Sequence, residues 1–389
     1  MGWAVLFCFL TASCTKEQEP SFLPRGTVID CTEKGRLSVS QIIDYVTEEV
    51  PAEIARYDVT YYVIRYRTDY MGKSVDSEGL LLIPEGVDSV RLLAYFHGTI
   101  VPLEMFGIRN QVPSFYRGQK EGFYETINLG FSFATAGYTV FIPDYIGYGI
   151  TSDREHPYVY YPELFKANID GLIASQEFLK QSGFSEAGRL FLTGVSQGGG
   201  ASLSAHRYIQ ENYAAHFTVV ASSQYAGPYN FQEFIYSVFR DKDKKLTALN
   251  LYTWAGYTLT KFSGIKRPTD RIFTYPVFDQ VAAFNPPSQI PSAVFNPYFI
   301  SKILDGTDSE YGLLIDGNSF HRGWRPLGRV FLHHGDEDNI VPYFNSVDAY
   351  NGLKSAGGDI TLYTYGGGGH ITEAASYILK TIEDFNAIQ

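Results

Sequence analysis

The apolar positions of this chain change period along its length, and each change marks an element. Val, Ile, Leu and Tyr recur with partial alternation over residues 57–67 and again over 77–83, with Met71-Gly72-Lys73 between them. Two such runs around a glycine turn predict an antiparallel hairpin at one edge of a sheet. Short apolar runs of the buried-strand kind follow at 92–97, 138–142, 189–193, 217–222, 330–333 and 360–365. Helical spacing fills most of the intervals, at 124–136, 161–181, 199–212, 343–355 and 371–385. Strands alternating with helices predict an α/β fold with a mostly parallel central sheet and helices on both faces. Ahead of the hairpin, Ser38 is a candidate N-cap for a short helix over 38–50, with Ile42, Ile43 and Val46 on one side.

The rhythm breaks once. Over residues 228–326 the alternation gives way to amphipathic stretches at 231–239, 246–262, 278–284 and 298–304. A structureless loop of that length does not fit a compact domain, so the interval reads as an inserted, mainly helical cap. The core then falls in two parts, 38–227 and 327–389. Residues 14–37 lack periodicity, carry Pro20, Pro24 and several charges, and are expected to form a tether. Residues 1–13 are expected to be a signal peptide, because the apolar run 3–10 is too short to span a bilayer but suits a secretory h-region. Thr11-Ala12-Ser13 before Cys14 resembles a bacterial lipobox, although Thr11 stands where an aliphatic residue is usual. That pattern predicts export and acylation of Cys14, with the chain held to a bacterial outer membrane or cell surface through its lipid alone.

Composition narrows the partners more than the fold. The net charge of −11, without a basic stripe, argues against a nucleic-acid partner. Of the three cysteines, Cys8 leaves with the signal and Cys14 carries lipid, so Cys31 stands alone. Neither a disulfide framework nor a cysteine-based zinc site is expected. The 30 Tyr and 28 Phe read mainly as core, with an aromatic-lined pocket for acyl chains or sugars as the functional alternative.

Gly194-Val195-Ser196-Gln197-Gly198 carries the chemistry. It joins an apolar strand to a segment able to be helical, which makes G-x-S-x-G a candidate nucleophile elbow. Side chains at Gly194 or Gly198 would collide with the neighbouring strand and helix. A serine hydroxyl needs an adjacent base, itself oriented by a carboxylate. Asp336, Glu337 and Asp338 compete for the acid in the turn after the 330–333 strand. After the last strand, Gly366-Gly367-Gly368-Gly369 precedes His370, which follows every strand and has no later competitor. This glycine run lacks the Lys-Ser/Thr of a phosphate-binding loop, and its expected role is to place His370 over Ser196. His97, His333 and His334 are read as structural, and His206 as a helix-surface residue. For a developing oxyanion, the expected donors are the backbone N–H groups of Gln197 and Thr99, with Ile100 the alternative to Thr99.

Taken together, these segments resemble the α/β-hydrolase superfamily over residues 57–385. Within it, the chain is similar to the secreted bacterial and fungal lipase/esterase group. Tyr66-Arg67-Thr68 with Gly72, His97-Gly98-Thr99, the run from Gly137-Tyr138 through Pro143-Asp144 to Gly149, and His156-Pro157-Tyr158 carry that likeness. The resemblance implies a Ser196–His370–Asp338 triad, since Asp338 opens the D-x-x-V-P pattern found after the corresponding strand, with Asp336 as alternative. It also implies hydrolysis of carboxylic esters through an acyl-enzyme, without metal or cofactor, and gives the Asp144 to Gly149 loop a pocket-shaping role. The partner is expected to be a small-molecule, lipid or acylated-glycan ester. A serine peptidase on the same fold and an idle binding protein are the competing readings.

Overall fold

The computed structural model describes residues 23–47, 52–87, 89–102, 111–184 and 188–388. Among them nine strands form one sheet: β1 (Val28–Leu37), β2 (Val59–Tyr70), β3 (Lys73–Pro84), β4 (Leu92–Phe96), β5 (Thr139–Pro143), β6 (Arg189–Val195), β7 (Thr218–Tyr225), β8 (Arg329–Gly335) and β9 (Ile360–Tyr365). Their spatial order is β1-β2-β3-β5-β4-β6-β7-β8-β9. The first three strands and the β3–β5 pair are antiparallel, and everything from β5 to β9 is parallel. The predicted hairpin is β2–β3, closed where Tyr70 faces Lys73.

β1 corrects the expected tether, since residues 28–37 pair along β2. Periodicity fails there because only Leu37 is buried in the whole strand. Charged Asp30, Glu33, Lys34 and Arg36 and two register shifts suit an edge that must not pair further.

Among the described residues there are also twelve helices: α1 (Val39–Tyr45), α2 (Ser132–Thr135), α3 (Tyr161–Gln181), α4 (Gln197–Asn212), α5 (Phe231–Arg240), α6 (Leu249–Phe262), α7 (Gln280–Phe284), α8 (Pro291–Val294), α9 (Pro297–Leu304), α10 (Ser309–Gly317), α11 (Phe344–Ser355) and α12 (Ala374–Asn386). Ser38 caps α1 in a capping box with Gln41, as its position suggests, but the helix stops at Tyr45. The segment read as helix over 124–136 is in part π-helical, over Thr126–Phe131.

Alternation along β4 shows how the sheet divides the core. Leu92, Ala94 and Phe96 join the cluster that holds α3 and α4, whereas Leu93 and Tyr95 join the one that holds α12. The first cluster continues into the segment between β7 and β8, where α5 to α10 lie and no sheet strand does. Polar contacts fasten that segment to the sheet. Glu155 accepts from Gln280 N at 3.1 Å and from the Tyr257 hydroxyl, and it pairs with Lys261. Asn318 accepts from Tyr161 N at 3.0 Å and donates to the Val159 carbonyl at 2.9 Å.

Candidate active site

The turn from β6 into α4 places Ser196 at φ 56°, ψ −118°. That left-handed conformation costs a non-glycine residue roughly 1–3 kcal/mol, so the surroundings must hold it. They do so by close packing. A Cβ on Gly198 would lie 1.9 Å from the Phe96 carbonyl oxygen, and one on Gly194 would lie 2.3 Å from that of Gly198. The two glycines are therefore required by backbone approach on both sides of the serine.

His370 reaches Ser196 from the loop after β9. Its Nε2 lies 2.8 Å from Ser196 Oγ and its Nδ1 lies 2.7 Å from Asp338 Oδ2. The carboxylate accepts, so Nδ1 carries the proton and Nε2 is left as the acceptor for the serine hydroxyl. The loop is seated on β8, where a Cβ on Gly335 would meet the Gly368 carbonyl oxygen at 2.2 Å. Asp336 is exposed, and its Oδ1 accepts from Gly367 N at 2.7 Å. Asp336 thus tethers the glycine loop, a role the sequence did not signal, and Asp338 is the acid that meets His370.

Asp338 is buried and meets four N–H groups. Oδ1 accepts from Ile340 N at 2.8 Å and Val341 N at 2.9 Å, while Oδ2 accepts from His370 and, at 3.0 Å, from His334 Nε2. Burial pushes this carboxyl up, but the hydrogen bonds from His334 and His370 outweigh it and hold Asp338 well below the usual carboxylate range. It is ionised at any working pH.

Around the expected oxyanion site, Gln197 opens α4, where its N–H is not needed by the helix. The loop after β4 crosses above Gly198, bringing the carbonyls of Phe96 and His97 against it. Gly98 N is committed to Glu125 Oε2 at 2.8 Å, and Tyr95 donates to the same oxygen. Thr99 is the next residue along, its hydroxyl 3.2 Å from that of Tyr158. His97 is buried between the Gly98 and Asp144 carbonyls and stacks on Tyr145. Asp144 accepts from Ser114 N and Oγ at 2.8 and 2.6 Å, and burial pushes its carboxyl up to about 7.

His156 was passed over in the sequence except as part of a motif. Its Nδ1 lies 2.8 Å from the Ile146 carbonyl and so donates, which leaves Nε2 to accept the Gln197 side-chain amide at 2.6 Å. The side chain that follows Ser196 is thereby held from the loop between β5 and α3. His206 corrects the surface reading: it is fully buried, its Nδ1 2.7 Å from Ser222 Oγ and its ring against Trp324. α4 is covered on that side by β7 and the chain around Trp324, which its own spacing did not reveal. Cys14 lies outside the described residues, and Cys31 is free on β1. Among the described residues no helix is long and apolar enough to cross a membrane.

Ser196 and Gln197 form part of the lining of a pocket of about 790 Å³, counting its open mouth. The rest of the wall is almost wholly apolar and comes largely from the insertion: Phe231, Phe234 and Phe239 of α5, Leu251 and Leu259 of α6, and Phe299 of α9. Tyr252 of α6 donates to the Ile340 carbonyl at 2.7 Å, so that end of α6 lies beside the acid turn. Leu259, also in the lining, lies seven residues further, about 10 Å along the helix.

Comparison with known proteins agrees with this architecture. A family model for secretory lipases matches residues 125–243, a span that includes the elbow and α5. No curated protein sequence matches. Among solved structures, the rice cell wall degrading esterase LipA from Xanthomonas oryzae is similar, with a TM-score of 0.78 at 21% identity, over 94% of this chain and 100% of that one. A putative hydrolase from Legionella pneumophila gives 0.77 at 22% identity, over 93% and 98%. Candida antarctica lipase A in its closed state gives 0.64 at 15% identity, over 94% and 84%. The fold is that of the α/β-hydrolases.

Proposed function

We propose that this α/β-hydrolase is an exported serine hydrolase that cleaves carboxylic esters carrying a medium-length acyl chain. The match to the secretory lipase model supports an ester hydrolase of lipase or esterase type. The observation that carries the reading is the unbroken chain from Ser196 through His370 to Asp338, at 2.8 and 2.7 Å, at the floor of an apolar pocket.

Ser196 Oγ attacks the ester carbonyl carbon as His370 Nε2 takes its proton. The N–H groups of Gln197 and Thr99 receive the oxyanion, and the α4 dipole adds to the first. Collapse breaks the C–O bond while His370 returns the proton to the departing alcohol. Water, deprotonated by the same imidazole, then releases the acid from the acyl-serine. Asp338 keeps the imidazole in the tautomer that accepts from serine.

The insertion is the cap of this site, and its apolar wall takes the acyl group. An aminopeptidase would need a carboxylate in the wall to hold a substrate amine, and among the described residues the pocket lining has none. Acylation at Cys14 anchors the exported chain to a membrane.

A fluorophosphonate probe is expected to label the protein, and Ser196→Ala to abolish both labelling and hydrolysis of p-nitrophenyl esters. A variant that still takes the label removes Ser196 from its role. The pocket runs about 10–12 Å along α5 and α6, so octanoate esters should turn over faster than acetate. Leu259→Trp fills space at that distance and should cut kcat/KM for octanoate about tenfold while sparing acetate, since lost burial of a few methylenes is worth ~0.8 kcal/mol each. Equal losses on both esters would place the acyl chain elsewhere.

A further inference from the structure

We infer that His334 is a positioning residue for this reaction, holding Asp338 through the same carboxylate oxygen that serves His370. The inference rests on the serine-hydrolase reading above and goes beyond its three-residue chain.

His334 is the penultimate residue of β8, with no exposed surface, four residues before Asp338. Its Nε2 faces two acceptors, Asp338 Oδ2 at 3.0 Å and the Val341 carbonyl at 2.8 Å, so that nitrogen must carry the proton. Nδ1 is then an acceptor, and Ser346 Oγ of α11 lies 2.7 Å away to supply a hydrogen. The tautomer is fixed from both sides, and a line of hydrogen bonds runs from α11 through His334 and Asp338 to His370 and Ser196.

Two things follow for Asp338. Oδ1 is pinned by two backbone N–H groups, which leaves the carboxylate plane free to turn about that anchor. A second N–H on Oδ2 stops the turn and keeps this oxygen aimed at His370 Nδ1. The same N–H shares the negative charge of Oδ2 with His370. Packing alone does not call for a histidine here, because an apolar side chain of like volume fills the space without three polar partners. Facing Asp338 are His334 from β8, His370 from the loop after β9, and Tyr252 of α6 across the Ile340 turn.

The test compares His334→Leu, His334→Gln and Ser346→Ala in the full chain, with p-nitrophenyl octanoate as substrate. His334→Leu should lower kcat about ten- to hundredfold, the range for a lost hydrogen bond to a charged group, with KM within about twofold. The acid limb of its kcat profile should move, because His370 is then the one side chain hydrogen-bonded to Oδ2. His334→Gln, which returns an N–H near the same place, should recover kcat to within about threefold of wild type. Ser346→Ala takes away the donor that holds Nδ1, loosens the ring, and should cost a few-fold in kcat alone. A merely structural histidine would lower the melting temperature and leave kcat and the acid limb in place, and that result overturns the inference. If His334→Leu does not fold, Ser346→Ala decides it: wild-type kcat in that variant overturns the inference. A wild-type enzyme inert toward both probe and ester would instead fail the underlying reading.

Discussion

Asp338→Asn should lower kcat by about 10⁴-fold while the protein stays folded and KM changes little. The four donors around Asp338 explain why so small a change has so large an effect. Ile340 N and Val341 N cannot turn away, so the oxygen of the substituted amide must take the Oδ1 place. The amide NH₂ then faces His370 Nδ1 and His334 Nε2, where the carboxylate had accepted from both. His370 answers by moving its proton to Nε2, and that nitrogen now donates to Ser196 instead of accepting from it. The nucleophile has lost its base without moving. His334 is also left facing a donor, at a folding cost of about 1–3 kcal/mol. Steady-state kinetics with p-nitrophenyl octanoate checks the first effect. Retention of more than about a tenth of wild-type kcat would mean that Asp338 does not orient His370.

The parts of this site that were legible in the sequence are those whose chemistry is local. The strand before Ser196, the helix after it and the glycines on either side form one short segment, and backbone approach at Gly194 and Gly198 demands the residues that are there. Order along the chain singled out His370, and the turn after β8 narrowed the acid to three. What the sequence hid depends on contacts between distant segments. Ser346 meets His334 only because β8 and α11 pack together, and His156 meets Gln197 across 41 positions of chain. β1 was hidden for a different reason: an edge strand with one buried residue has no apolar period to read. His206 shows the limit of reading one helix at a time, since neighbours from β7 and around Trp324 decide its burial. The insertion between β7 and β8 was legible as an interruption, but its pocket was not. Walls from several helices enclose it, and which aromatic faces line it cannot be told from their spacing alone.

Mild acid should destabilise this protein steeply, by about 3 kcal/mol per pH unit between pH 6 and 4. Burial depresses His97, His156, His206, His321 and His333, and it carries His156, His206 and His333 down to about 3. Each has a folded pKa below its unfolded value of about 6.5, so its contribution is fully present above that pH and is lost as pH falls toward the folded value. Asp144, raised by burial to about 7, works the other way, with its contribution present below about 4 and lost as pH climbs. Asp170, also raised by burial, has the same sign as Asp144. Three strongly depressed histidines less Asp144 leave two protons taken up on unfolding, and each is worth about 1.4 kcal/mol per pH unit. Protonation inside the fold offers no escape, because Nε2 of both His206 and His333 is buried without a hydrogen-bond partner. Urea denaturation at pH 6.5 and at 4.5 measures the slope, and equal midpoints would mean that these imidazoles are not held neutral. His206→Asn sharpens the test. Its amide stands where Nδ1 meets Ser222, it does not titrate, and it lies away from Ser196 on the far side of α4. The variant should lose about 1.4 kcal/mol per pH unit of the acid slope, one proton's worth, while its stability at pH 7 changes by less than that.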